Sequence, residues 1–384
     1  MPLLAAAGPA APAPFTPTSD QQVLERLPTR AADPRLREMA ALRQRLQADP
    51  RDLDTAVALA RRYFEAVAAE GDPRYIGYAQ AALAPWWSQP APPPAVRLLR
   101  GMLLQFGHAF DAAVTDFTAA AQASETAAEG WSWLAAVAMV QARYADAGAA
   151  CRALAPLTTP LTAVACQAQV DAATGRGAAA VAALQAALRA PGEASAAEQL
   201  WALTRLAETE ERLGRHAEAE AAFRRALALN LTDGYLLAAY ADFLLDRGRA
   251  AEVLPLLRGR ERSDLLLLRL ALAAKVTGAP ELARWQADLS ARFDAARRRG
   301  DSVHEKEEAR FALAVLGEVS RALALARSNF AVQREPADAR VLLEAALAAR
   351  DPAAAAPALQ WLADSRIESV VLRPLAQQLQ AGGR

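Results

Sequence analysis

Residues 203–230 read LTRLAETEERLGRHAEAEAAFRRALALN. Leu206 and Ala207 stand in a first helical stretch, Gly214 breaks it, and Ala219, Phe223 and Ala226 follow in a second. Glycine just past a run of helix formers is a stop signal. The alternation of small and aromatic positions is what one helix needs to cross another closely. The stretch predicts a helical hairpin, and a single hairpin cannot bury its apolar face alone.

The same grammar recurs. Gly101, Phe110 and Ala113, stepped by 34 residues, give Ala135, Tyr144 and Ala147. Weaker copies span 164–188 with Gly175 at the turn, 235–257 with Gly248, 265–289 with Gly278 and 303–332 with Gly317. A first unit spans 53–83, interrupted at Gly71-Asp72-Pro73, and a last one spans 337–363. The helical stretch 367–380 carries Pro374, which is expected to kink it. A bulky residue at Ala113 or Ala147 is expected to overpack a crossing, at about 1–3 kcal/mol.

These triplets, their period and the turn glycines resemble the tetratricopeptide repeat (TPR) family. The resemblance covers nearly everything from Asp52 onward and is strongest at 203–230. It departs from the family at Leu231, where proline usually closes the repeat, and at Glu210, which replaces an aromatic. It implies an all-α fold, a right-handed α-solenoid of about eight TPR-like hairpins. The implied organisation is an arm at 1–20, a leader helix within 21–51, the solenoid at 52–363, and a capping helix with its tail at 364–384. Projected onto this chain, the family's concave groove is lined from the first helices by Arg61, Phe64, Leu98, Met102, Gln105, Ser132, Ala136, Met139, Gln169, Glu208 and Asp242. The Lys and Asn with which one TPR subclass grips a peptide carboxylate are absent from the first helices between 96 and 170. A chaperone-tail receptor is therefore not expected.

Composition agrees with helix. Hydrophobic residues make up 53% and aromatics only 6%, with alanine dominant, and alanine is the best helix former. Formal net charge is +0, which argues against nucleic acid, whose recognition needs a clustered basic patch. The short run Arg297-Arg298-Arg299 reads as the basic end of a helix. The most apolar stretch, 265–274, holds Arg269 and is too short to span a bilayer, so it reads as a buried helix. Trp86 and Trp87 precede a Pro-rich linker. They read as fillers of a groove between repeats, with a docking site as the alternative. Arg and Ala prevail over Lys and Asn, the bias of a GC-rich bacterial genome.

The N-terminal MPLLAAAGPAAPAP fits either the tail of a secretory signal or an Ala/Pro arm on a cytoplasmic protein. The cysteines favour export. Cys151 and Cys166 are equidistant from the turn at 157–160, so they stand at one height of an antiparallel hairpin, within reach of a disulfide. Disulfides persist in oxidising compartments such as the periplasm. Two buried thiols are the alternative.

Motifs for chemistry are missing. There is no phosphate-binding glycine loop, no nucleophile elbow, no C-x-x-C pair, and hence no expected cofactor. Of three histidines, His108 and His216 fall in turns. His304 and Glu308 share a helix face at metal-binding spacing, but Ser302 and Glu305 explain the segment as a capping box. The sequence thus points to a non-catalytic scaffold that takes a protein or peptide partner in its groove, in the periplasm. The alternatives are a metal-handling or enzymatic protein using His304 and Glu308, and a helical module that senses a small ligand.

Overall fold

The computed structural model describes residues 34–382 apart from 71, 73, 191, 193, 301 and 302. The arm at 1–20, residues Gly71 and Pro73, and the proposed cap Ser302 lie outside the described residues. Helix α1 (Pro34–Ala48) leads into nine helical pairs among the described residues. They are α2 (Leu53–Glu70) with α3 (Arg74–Ala82), then, after the short α4 (Ala84–Trp87), α5 (Pro94–Phe106) with α6 (Phe110–Ala121). Next come α7 (Ala127–Val140) with α8 (Tyr144–Leu154), α9 (Pro160–Ala173) with α10 (Gly177–Arg189), and α11 (Ala196–Arg212) with α12 (His216–Leu227). The series continues with α13 (Gly234–Asp246) and α14 (Ala250–Leu256), α15 (Asp264–Thr277) and α16 (Leu282–Arg298), and α17 (Glu305–Phe311) and α18 (Val319–Val332). Helices α19 (Pro336–Ala349) and α20 (Ala356–Ser365) form the last pair, and α21 (Leu372–Gly382) follows. No strand occurs among the described residues, and the chain is an all-α solenoid.

Each pair closes for a local reason. Ser195 and Glu198 form a reciprocal capping box at the start of α11, and Gly214 ends that helix at φ +79°, where a side chain would be strained. In the α5/α6 and α7/α8 turns, His108 and Ala142 occupy the left-handed region without glycine.

The repeat positions form the seams. Phe223, Ala113, Ala147, Ala219 and Ala226 are fully buried and Phe110 is buried, whereas Tyr144 is half-buried; Phe117, outside the repeat triplets, is fully buried too. A Cβ on Gly101 would stand 2.7 Å from the Phe117 ring, so the small residue is the socket for the aromatic one. Phe117 stacks in turn on Trp133, centroids 5.7 Å apart. Trp86 and Trp87 are half-buried against this same core, as groove fillers. Glu210 is buried at the α10–α11 seam in place of an aromatic; Gln185 donates to it at 3.2 Å and Arg215 pairs with it at 3.2 Å.

The C-terminal end differs from a simple cap. After α20 the chain runs without regular structure through 366–369 and turns at 370–371 across the inner turns of earlier hairpins. Val370 N donates to Arg212 O at 2.9 Å, and Gly177 N donates to Glu368 Oε2 at 2.8 Å. Arg334 N donates to Val140 O at 2.8 Å, and Trp361 Nε1 donates to the Tyr144 hydroxyl at 2.9 Å. The array therefore curls until its last hairpins touch the turns of α7/α8, α9/α10 and α11/α12. Pro374 does not kink a helix over 367–380. Helix α21 begins at Leu372, which puts Pro374 in the first turn, where a missing N–H leaves no helical bond unmade.

Candidate functional site

First helices of repeat arrays face inward, and here α7, α9, α11, α13, α15, α17 and α19 converge on one chamber of about 500 Å³. Its wall carries seven cationic side chains (Arg205, Arg212, Arg269, Lys306, Arg310, Arg334 and Arg340) and six anionic ones (Glu208, Glu211, Asp242, Asp246, Glu307 and Glu335). A charged wall this deep is stable only if the charges pair.

Most do. Asp242 on α13 accepts from Arg269 Nη2 on α15 at 2.7 Å and from Arg310 Nη1 on α17 at 2.7 Å. Burial alone would raise the Asp242 pKa; the two guanidinium groups outweigh it and hold the carboxyl well below its usual range. Arg340 forks onto Asp246 at 2.5 and 2.8 Å. Lys306 stands 3.6 Å from Asp338 and 3.8 Å from Glu307, and these carboxylates more than offset the burial that would otherwise lower its pKa. Tyr235 donates its hydroxyl to Glu208 at 2.5 Å while the Arg205 guanidinium lies 4.6 Å from its ring centroid.

Four groups are left incompletely served. Arg334, exposed on the wall, has no side-chain hydrogen bond or ion pair among the described residues. Arg205 Nε is buried without a hydrogen-bond partner among the described residues. Arg212 reaches only the Thr209 hydroxyl, at 3.3 Å, and burial lowers its pKa. Glu211 has no side-chain hydrogen bond or ion pair among the described residues. Burial, with Asp246 and Glu208 adding like charge, pushes its carboxyl up to about 8. The chamber thus offers free donors and a carboxyl that is protonated at neutral pH, suited to polar and backbone-like groups.

Of the eleven expected groove residues, the structure brings Met139, Gln169, Glu208 and Asp242 to this chamber. Ser132 and Ala136 are exposed on α7 away from the chamber lining. Arg61 is held by Glu129 through bonds of 2.7 and 3.1 Å, and Phe64 packs edge-on to Trp133 at 5.9 Å. Gln105 donates to the Met102 carbonyl at 3.2 Å. Leu98 and Met102 do not face a groove. They are 0% and 5% exposed, inside the core that α5 shares with α2, α3, α6 and α7.

The residues that dominate the wall were outside the projected set: Arg205, Glu211, Arg212, Tyr235, Arg269, Lys306, Arg310 and Arg340. One signal could have found some of them. Arg269 interrupts the apolar run DLLLLRLALAA of α15 and is 7% exposed. An isolated charge on a buried helix demands a partner, and the partner is Asp242.

The carboxylate paired with His304 in the metal-binding alternative, Glu308, is already engaged. His304 sits at the N-terminal boundary of α17, while Glu308 is buried and accepts from both Arg297 and Arg321. No group of three or more potential metal ligands occurs among the described residues. No described helix is long and apolar enough to cross a membrane. Cys151 and Cys166 are paired as a disulfide with Cα atoms 5.6 Å apart, inside the seam between α8 and α9.

No family model and no curated protein matches this sequence. Among solved structures the chain is similar to the TPR domain of P58(IPK), with 14% identity over 92% of this chain and 94% of that one, and a TM-score of 0.23. A superposition this loose transfers no site, and the solenoid rests on the hairpins themselves.

Proposed function

We propose that the chain is a non-catalytic bacterial scaffold that holds an extended segment of a partner protein in the chamber formed by its first helices. The observation that carries this reading is the chamber wall. Seven first helices present paired charges, free donors at Arg205 and Arg212, and the flexible Met139 around one cavity. Such a wall offers hydrogen bonds to a peptide backbone and an adaptable apolar contact. We place the protein in the periplasm. Cys151 and Cys166 support that setting, since structural disulfides persist in oxidising compartments. Intact mass with and without reductant, on protein isolated from its native compartment, tests the setting; a count of two free thiols overturns it.

Gln169 tests the chamber. It is half-buried on α9 and lines the cavity, so Gln169→Trp fills space without touching a salt bridge. Screened against an array of random twelve-residue peptides, the native protein is expected to retain a subset that Gln169→Trp loses, with an unchanged helical spectrum. Equal retention by both proteins places binding outside the chamber.

A further inference from the structure

A second and larger cavity lies where the last hairpins meet the inner turns. It measures about 1180 Å³ and is walled by the α7/α8 and α9/α10 turns on one side and by α18, α20 and the segment after each on the other. It shares Tyr144 and Arg334 with the chamber, so the two spaces adjoin. Its charge is one-sided. Five arginines line it against two carboxylates, Asp146 and Asp364. In a chain of net charge +0, that is a local concentration of like charge that the fold itself assembles.

The pairing within the cleft is more telling than the count. Asp146 is 3.6 Å from Arg143, and Asp364 already accepts from Gln360 at 2.8 Å. Arg176 is committed to Asp171 at 2.6 Å. Arg327, Arg334 and Arg366 have no side-chain hydrogen bond or ion pair among the described residues, and all three are exposed. They come from three separate places, α18, the loop after it, and the residue after α20. Arg366 also holds a left-handed backbone, φ +56°, at a helix end where glycine is the unstrained choice. The cleft walls are tied rather than loose, through Trp361 to Tyr144 and through Arg334 N to Val140 O.

We propose that this cleft docks an acidic peptide segment of a partner protein, its carboxylates taken by Arg327, Arg334 and Arg366. The planar guanidinium fork matches a carboxylate in two parallel bonds. The volume exceeds that of ordinary small-molecule sites, roughly 300–1,000 Å³, and suits a run of residues. A nucleic acid is a poorer fit. Of the three aromatics that line the cleft, Phe330 and Trp361 are only 2% and 6% exposed and Tyr144 is half-buried with its hydroxyl held by Trp361, so no run of exposed rings is available to stack successive bases. The proposal rests on the scaffold reading and assigns that scaffold a partner chemistry and a second place of contact.

The test is a titration, by fluorescence anisotropy, of a labelled twelve-residue peptide rich in Glu and Asp. It is run on the full chain and on the triple variant Arg327→Ala, Arg334→Ala, Arg366→Gly. The glycine relieves the left-handed turn while removing the charge, so the triple variant is expected to keep the native melting temperature. Supporting results are binding by the native protein that weakens with salt and falls at least tenfold in the triple variant. The Gln/Asn version of the peptide is expected not to bind. Acidic-peptide binding unaltered by the triple variant overturns the cleft and leaves the scaffold reading standing. So does an acidic peptide that fails while neutral peptides bind. Failure of every peptide overturns both. A dT12 oligonucleotide or phosphatidylglycerol vesicles that displace the peptide at equal charge, and lose affinity in the same variant, overturn the partner class.

Discussion

Between α6 and α7 the chain packs backbone on backbone: a Cβ added to Gly130 would stand 2.5 Å from Ala121 N. In the chamber wall, by contrast, the neighbouring helices α13, α15 and α17 are joined through charged side chains, Asp242, Arg269 and Arg310. The seam is dry, local and made of small and aromatic side chains. The chamber is charged and made by residues far apart in the chain, 68 positions for Asp242 and Arg310 and 94 for Asp246 and Arg340. The difference shows two ways of fixing a solenoid's curvature. Seam contacts set the step between neighbours, and cross-chamber ion pairs set how far the array closes.

If that division is right, breaking the chamber costs more than tightening the seam. Asp242→Ala leaves Arg269 and Arg310 with only Glu307 as a nearby counter-charge, and removing the shared carboxylate of this part-buried cluster costs up to about 3–5 kcal/mol. Urea denaturation is expected to show the largest drop in midpoint here. A drop no greater than that of an exposed control such as Asp111→Ala removes the chamber's structural role.

Gly130→Ala probes the seam. The added methyl meets backbone atoms of Ala120 and Ala121, which cannot rotate away, so α7 must shift, at about 1–3 kcal/mol. The same unfolding curve reads it. An unchanged midpoint means that α6 and α7 can separate freely, and that the close approach is not what holds the step.

Glu211→Gln gives an effect of the opposite sign, and one that depends on pH. The Glu211 carboxyl titrates at about 8 in the fold and at about 4.3 unfolded. Between those values the native state holds a proton that the unfolded chain has lost, so stability falls as pH rises through that window. The amide cannot ionise. Glu211→Gln is therefore expected to be more stable than the native chain at pH 8.5, by as much as about 5 kcal/mol, and equal to it near pH 4. Melting temperatures at the two pH values measure this. A parallel pH response in both proteins shows that Asp246, Glu208, Asp242 and Arg340, which surround the group, set the slope instead.

The seam was legible because each residue that makes it sits within one period of its partner. Ala219, Phe223 and Ala226 are read in a line, and Gly101 meets Phe117 within one hairpin. The disulfide was legible for the same reason, since Cys151 and Cys166 straddle one turn. The groove was legible only in part. Met139, Gln169, Glu208 and Asp242 reach the chamber, but Leu98 and Met102 went into the core, because a family pattern gives the side of a helix and not what covers it.

Sequence alone determined the helical hairpins, their step and their turns, since helix periodicity and glycine stops act over fewer than forty residues. Tertiary structure alone decided that the array curls until residues 334–371 lie across the turns of α7/α8, α9/α10 and α11/α12. Curvature accumulates from small rotations at every seam. No single residue encodes it, and so neither the chamber nor the arginine cleft could be read before the chain was closed.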